Sequence, residues 1–220
     1  LVQDPGTKVV SLVAMQNGSV ASATDLFQVT AWKLLDTGDF DGDGTTDLLW
    51  QRTADGMVAG WTMKNGAIAG AVYHTAVTAW KLLGIGDFDA NGVDDLMWRR
   101  DSDGMVANWM MQDGRITGAR YLSAVTAWTY QGHGDVNGDG AEDLLWRRNA
   151  DGTVAAWEMQ NGVIARALWY GPVDNDVAVA IADFNGNGRE EILWRDPDDG
   201  VLTQVAMVST GLSANDFLII

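Results

Sequence analysis

Cysteine is absent, which excludes a disulfide framework, thiol catalysis and thiolate metal sites. Its absence suits a secreted bacterial protein. Proline occurs three times, at Pro5, Pro172 and Pro197, so little interrupts a backbone hydrogen-bond ladder. No apolar run reaches the roughly 18 residues of a spanning helix, so membrane insertion is not expected. Bases are few: 14 Lys and Arg stand against 30 acids, a formal charge of −16. That balance argues against nucleic acid or anionic lipid as a partner, because phosphate binding needs clustered cations. The chain begins at Leu1 without a basic and then apolar leader, as a mature or trimmed form would.

What is abundant is repetition. The segment Asp39-Phe-Asp-Gly-Asp-Gly-Thr-Thr-Asp47-Leu-Leu-Trp50 returns at Asp87, Asp135 and Asp183, each copy 48 residues after the last. Met15, Met63, Met111, Met159 and Met207 keep the same spacing. Asn17-Gly18, Asn65-Gly66, Asp113-Gly114 and Asn161-Gly162 follow four of them. Such pairs favour two-residue hairpin turns, whose central residues need positive φ. A second turn series lies at Asp55-Gly56, Asp103-Gly104, Asp151-Gly152 and Asp199-Gly200. The runs between turns are rich in Val, Ala, Trp and Met and are of strand length.

One unit therefore reads as a strand over 79–86, an acidic loop over 87–95, and further strands over 95–100, 105–111 and 115–122. A meander of four antiparallel strands in 48 residues fits a propeller blade. The expected fold is an all-β propeller occupying residues 1–220 as one domain. Residues 1–27 form a half blade, and 28–75, 76–123, 124–171 and 172–220 form blades with loops. About four and a half blades result, either a five-bladed ring or part of a larger one. The chain after Phe217 ends in a fourth strand. Nine of the 11 tryptophans fall into the registers Trp32/Trp80/Trp128, Trp50/Trp98/Trp146 and Trp61/Trp109/Trp157, and Trp194 extends the second. Registered tryptophans are expected to pack one blade on the next, each buried ring removing ~150–250 Å² from water.

The acidic loops have the chemistry of a calcium site. Calcium takes six to eight oxygen ligands, and alternate loop positions can converge on one ion as the chain coils around it. Loop one offers Asp39, Asp41, Asp43 and Asp47 with the Thr45 carbonyl. Loop two offers Asp87, Asp89, Asn91 and Asp95 with Val93, and loop three Asp135, Asn137, Asp139 and Asp143 with Ala141. Loop four offers Asp183, Asn185, Asn187 and Glu191 with Arg189. Glycine at the sixth position permits the sharp turn. Up to four calcium ions are expected, with affinity falling from the four-carboxylate first loop to the two-carboxylate fourth. Four divalent ions would bring the formal charge from −16 to −8. An EF-hand is excluded, since its twelfth-position Glu is replaced by Trp50, Trp98, Trp146 and Trp194.

The Asp-Phe-Asp-Gly-Asp-Gly segment with Asp-Leu-Leu-Trp resembles the FG-GAP/VCBS repeats of integrin-like β-propellers. The resemblance covers nearly the whole chain. It implies an extracellular, secreted or cell-surface propeller with calcium in its loops, serving adhesion or recognition. Some such propellers are lectins with sugar sites between blades, and others are accessory domains of secreted enzymes.

No catalytic constellation is legible, and an enzyme is not expected. Gly-rich phosphate cradles, nucleophile elbows and zinc helices are missing from the sequence. The two histidines, His74 and His133, occupy different registers, and His133 reads as a surface or loop residue. Arg52, Arg100 and Arg148 each precede an Asp-Gly turn. Their expected role is pairing with the nearby Asp; hydrogen bonding to sugar hydroxyls beside an aromatic is the alternative. The expected function is recognition of a glycan or surface protein. The alternatives are an assembly module, self-associating through its incomplete blade, and an accessory propeller of a larger secreted enzyme.

Overall fold

The structure, a computed structural model, describes residues 2–173 and 176–205. These form strands and turns, with no helix among the described residues. A first sheet contains β1 (Val2–Gln3), β2 (Val9–Gln16) and β3 (Ser19–Gln28). Three four-stranded sheets follow. They are β4 (Trp32–Gly38), β5 (Asp47–Arg52), β6 (Met57–Lys64) and β7 (Ala67–Ala76); β8 (Trp80–Gly86), β9 (Asp95–Arg100), β10 (Met105–Gln112) and β11 (Arg115–Ala124); and β12 (Trp128–Gly134), β13 (Asp143–Arg148), β14 (Thr153–Gln160) and β15 (Val163–Pro172). The last sheet has β16 (Val177–Ala182), β17 (Glu191–Arg195) and β18 (Leu202–Val205). In every sheet consecutive strands are neighbours, the meander of a propeller blade. The expected all-β propeller class is the one observed. Met207 and the expected strand ending after Phe217 lie outside the described residues.

Turn chemistry sets the hairpins. Asn65 and Gly66 have φ of 51° and 76°, and Asn161 and Gly162 have 51° and 72°, the doubly positive pair that matches strand twist. The first strand of each loop-bearing sheet carries a register shift at the same place: Leu34/Asp36, Leu82/Gly84, Tyr130/Gly132 and Ala178/Ala180. Pro172 sits at the end of β15, where a missing amide is tolerated.

The described residues of Leu1–Thr78 with Asp113–Arg115 make one compact unit, and those of Ala79–Gln112 with Ile116–Ile220 a second. In the first, Val10, Val29, Leu48, Trp50 and Met63 form the core. In the second, Phe88, Met97, Val106 and Val125 pack with Trp128, Leu144, Trp146 and Trp157, joining one sheet to the next. The second strands β5, β9 and β13 are buried over their Asp, both apolar residues and Trp. Such strands are apolar on both faces because each is covered on both. Trp50, Trp98, Trp146 and Trp194 are at most 1% exposed. The first three pack on Trp61, Trp109 and Trp157 with ring centroids 5.0 Å apart. Trp128, Trp146 and Trp157 thus pack one sheet on the next as expected, whereas Trp32 and Trp80 of the first register are only half-buried.

Candidate functional site

Each acidic loop connects the first strand of a sheet to the second and is drawn tight by its first aspartate. Asp39 Oδ1 accepts the Gly42 amide and Oδ2 the Gly44 amide, both at 2.8 Å. Asp87 accepts from Asn91 and Gly92, Asp135 from Gly138 and Gly140, and Asp183 from Gly186 and Gly188. The fifth-position side chain then accepts the seventh-position amide: Asp43 from Thr45, Asn91 from Val93, Asp139 from Ala141 and Asn187 from Arg189. These bonds require left-handed backbone at Gly44, Gly92, Gly140 and Gly188, whose φ lies between 79° and 90°. In loop one, ligand atoms of Asp39, Asp41 and Asp43 lie within 4.8 Å of one another. The other loops replace at least one of these acids with Asn, and Asn91, Asn137, Asn185 and Asn187 still offer amide oxygens.

The ninth-position acid is set apart. Asp47, Asp95 and Asp143 are fully buried at the start of the second strand, and Glu191 is 2% exposed. Asp47 Oδ1 accepts the Met63 amide, Asp95 Oδ1 that of Met111 and Asp143 Oδ1 that of Met159, at 2.7, 2.7 and 2.8 Å. The third strand bulges at Thr62/Met63 and at Glu158/Met159. A bulge removes an amide from the ladder, and a buried amide must find another acceptor. This explains why loop acids and methionines share one period.

The second oxygen differs between loops. Asp47 Oδ2 accepts the Phe40 amide at 3.1 Å. Asp143 Oδ2 is buried and makes no hydrogen bond, and Asp95 Oδ2 is buried with the Asn108 side chain near its carboxylate. Burial pushes the carboxyl of Asp47 up to about 6, that of Asp95 to about 7 and that of Asp143 to about 8, with the loop acids adding repulsion. Glu191 reaches the Phe184 amide with Oε2, and Asn185 donates its side-chain amide to Oε1. Loop four thus holds its own Asn185 against Glu191. A donor set that is all oxygen, with a buried carboxylate oxygen lacking a partner, fits a hard divalent cation such as calcium.

In the second unit the loops also lace sheets together. The Glu142 amide donates to the Asp87 carbonyl and the Glu190 amide to the Asp135 carbonyl, both at 2.8 Å. The Gly162 amide donates to the Phe88 carbonyl at 3.2 Å. Within the first unit, the Gly114 amide does the same to Phe40 at 2.8 Å.

Arg52, Arg100 and Arg148 are paired as expected with Asp55, Asp103 and Asp151, through Nε and Nη2. The pairing holds Asp55 and Asp103 down to about 2 and lowers Asp151 as well. His133 departs from expectation: it lies in β12, not in a loop. Its Nδ1 is 2.6 Å from the Tyr130 hydroxyl and its Nε2 3.2 Å from Glu142, and its ring meets Phe88 edge-on. Gly84 makes room for it, since a Cβ there would stand 2.5 Å from the ring. The signal in the sequence was the broken register, with Thr37, Ile85 and Ile181 at the equivalent positions.

The model of the FG-GAP-like repeat family matches residues 135–194. No curated protein matches the chain in sequence. Among solved structures, a chain of the Photorhabdus luminescens Tc holotoxin pore is similar at 13% identity and a TM-score of 0.48, over 88% of this chain and 12% of that one. The WD40 domain of SCAP from fission yeast is similar at 13% identity and a TM-score of 0.46, over 91% of this chain and 50% of that one. The matched segment runs from loop three through loop four and carries an FG-GAP-like repeat, and its 48-residue unit is the one that recurs toward the amino terminus.

Proposed function

We propose that this chain is a calcium-stabilised recognition module of the extracellular space, non-catalytic, that binds a glycan or a surface protein. The observation that carries the calcium reading is the partnerless, buried oxygen of Asp143 beside a loop of oxygen donors. A buried carboxylate without a counterion is costly, and a divalent ion is the partner that chemistry supplies. Candidate ligands are Asp39, Asp41, Asp43, Thr45 and Asp47 and their equivalents in the other loops. Recognition rather than catalysis is supported by what repeats at the surface: aromatic and arginine side chains, with no nucleophile and base in common register.

Two measurements test the reading. Calcium should raise the melting temperature in proportion to loop occupancy, and an unchanged melt after chelation would refute a structural role for the ion. A glycan array, run in calcium and again after chelation, should give binding that calcium supports.

A second reading, assembly with another chain, is favoured by Phe184. This residue is 44% exposed in loop four, whereas Phe40 and Phe88 at the same position are 1% and 0% exposed. A strictly monomeric mass in calcium would remove that reading.

A further inference from the structure

One surface side-chain set repeats without serving the loops. In the sheet β4–β7, Arg52 binds Asp55 at 2.9 and 2.6 Å, and its guanidinium lies 5.4 Å from the centroid of Trp32. Trp32 in turn meets Tyr73 at 5.8 Å. In the sheet β8–β11, Arg100 binds Asp103 at 3.0 and 2.6 Å and lies 4.9 Å from Trp80, which meets Tyr121 at 5.9 Å. Each indole thus has an arginine and a tyrosine against it. Tyr73 is 64% exposed and Tyr121 72%.

Packing does not account for the tyrosines. A strand residue so exposed gains little from burial, and β-branched residues would serve the ladder equally well. What the set offers is a bare aromatic face beside a fixed planar pair of donors and acceptors. The Arg–Asp bond uses Nε and Nη2, so it leaves the Nη1 hydrogens uncommitted to that bond. Aromatic residues have one apolar face and suit amphipathic ligands whose other side is polar. A pyranose ring is such a ligand, with C–H groups on one face and hydroxyls at its rim.

We propose that Trp32–Arg52–Asp55–Tyr73 and Trp80–Arg100–Asp103–Tyr121 are two separate sites for a neutral pyranose. The ligand is neutral because each guanidinium already faces a carboxylate at 2.6 Å and the whole chain carries −16. A carboxylated or sulfated sugar finds no uncompensated cation and a repulsive field. This placement rests on the recognition reading above and gives it an address.

The next sheet supplies an internal contrast. There Trp169 stands in the tyrosine register, Trp128 is 4% exposed, and Arg148 lies 5.6 and 5.3 Å from the two indoles. The indoles meet edge-on at 5.1 Å and close the set. Its position therefore takes no sugar. In the last sheet the Trp and Arg registers hold Asp176 and Asp196. The stoichiometry is two per chain.

The test is titration of the full chain, in calcium, with methyl glycosides of galactose, glucose, mannose and fucose, followed by calorimetry and tryptophan fluorescence. A glycan array on the same samples reads capture. Expected is weak saturable binding of at least one glycoside at two sites, with sialyllactose inactive. Tyr73→Ala and Tyr121→Ala should each remove one site and leave the Kd of the other unchanged. The double variant should lose binding altogether while keeping its melt in calcium, since both phenols are largely exposed. Tyr73→Phe should keep the site and weaken it about tenfold or less, consistent with one lost neutral hydrogen bond. Glycan capture that persists unchanged in the double variant overturns this placement and leaves the recognition reading standing. A folded, calcium-stabilised protein that captures no array glycan overturns both the placement and the glycan reading.

Discussion

Asp143 and Met159 are joined by a 2.8 Å hydrogen bond in which a buried carboxylate accepts a backbone amide released by a strand bulge. One Asp143 oxygen therefore holds β14 in place, and the other is the one proposed to meet a cation. The two roles separate by substitution. Asp143→Ala leaves the buried Met159 amide unpaired and should cost about 1–3 kcal/mol even without calcium. Asp143→Asn keeps an acceptor for that amide and removes a charge. It should melt above Asp143→Ala in chelator, yet lose the calcium response of loop three. Equal melts for the two variants in chelator would show that the Met159 bond contributes nothing.

The calcium-free protein should respond to pH in the opposite sense to most acidic proteins. Burial raises the carboxyls of Asp47, Asp95 and Asp143 from near 4 to about 6, 7 and 8. Between those limits the folded chain binds more protons than the unfolded chain, so stability falls as pH rises. Calcium demands the ionised form and should reverse the slope. Melting temperature from pH 5 to 8, in metal-stripped buffer and in calcium, checks both signs. A calcium-free melt that rises across this range would contradict the burial argument.

Loop identity should grade the calcium response. Asp39→Ala removes a carboxylate from a loop with four, Asn187→Ala an amide from a loop with two. At 1 mM calcium and a Kd of ~10 μM, one site contributes ~2.7 kcal/mol by mass action. Asp39→Ala should forfeit most of that, and Asn187→Ala far less. Calcium titrations of the two variants, followed by melting, give the comparison. A larger loss for Asn187→Ala would reverse the predicted order.

Much of this was legible because the repeat is strict. The Asp-Gly-Asp-Gly spacing, the Asn-Gly turns and the tryptophan registers locate strands β8 to β11 within two residues of where they lie. Local chemistry decides those features, so a linear pattern reports them. The rest depends on contacts between residues far apart in sequence. The bond from Asp95 to Met111 crosses 16 positions. The equivalent bond from Asp143 to Met159 follows from a bulge that no propensity announces. His133 could be seen to break register, but its bond to Tyr130 and pairing with Glu142 needed the space left by Gly84 in a neighbouring sheet. Tyr73 and Tyr121 were missed because a single phenol in each of those two units is inconspicuous beside the tryptophans.

The four Asp-Gly turns give a final prediction, because they hold φ nearly constant while the surroundings change. Gly56, Gly104, Gly152 and Gly200 have φ of 74°, 71°, 73° and 75°. A Cβ at Gly200 would meet nothing within 4 Å, at Gly56 the Thr78 side chain at 3.0 Å, at Gly104 the Val125 backbone at 2.8 Å and at Gly152 the Val173 carbonyl at 2.2 Å. Alanine at Gly200 should therefore cost only the left-handed penalty of roughly 1–2 kcal/mol. At Gly152 it must also displace a backbone carbonyl next to the Val173 amide that binds Gly152 at 3.0 Å. Overpacking adds ~1–3 kcal/mol. Denaturant unfolding of the four alanine variants should rank Gly200, Gly56, Gly104 and Gly152 in order of increasing loss. Equal losses at all four would mean that backbone conformation alone selects glycine there, and that the clasp between Gly152 and Val173 yields without cost.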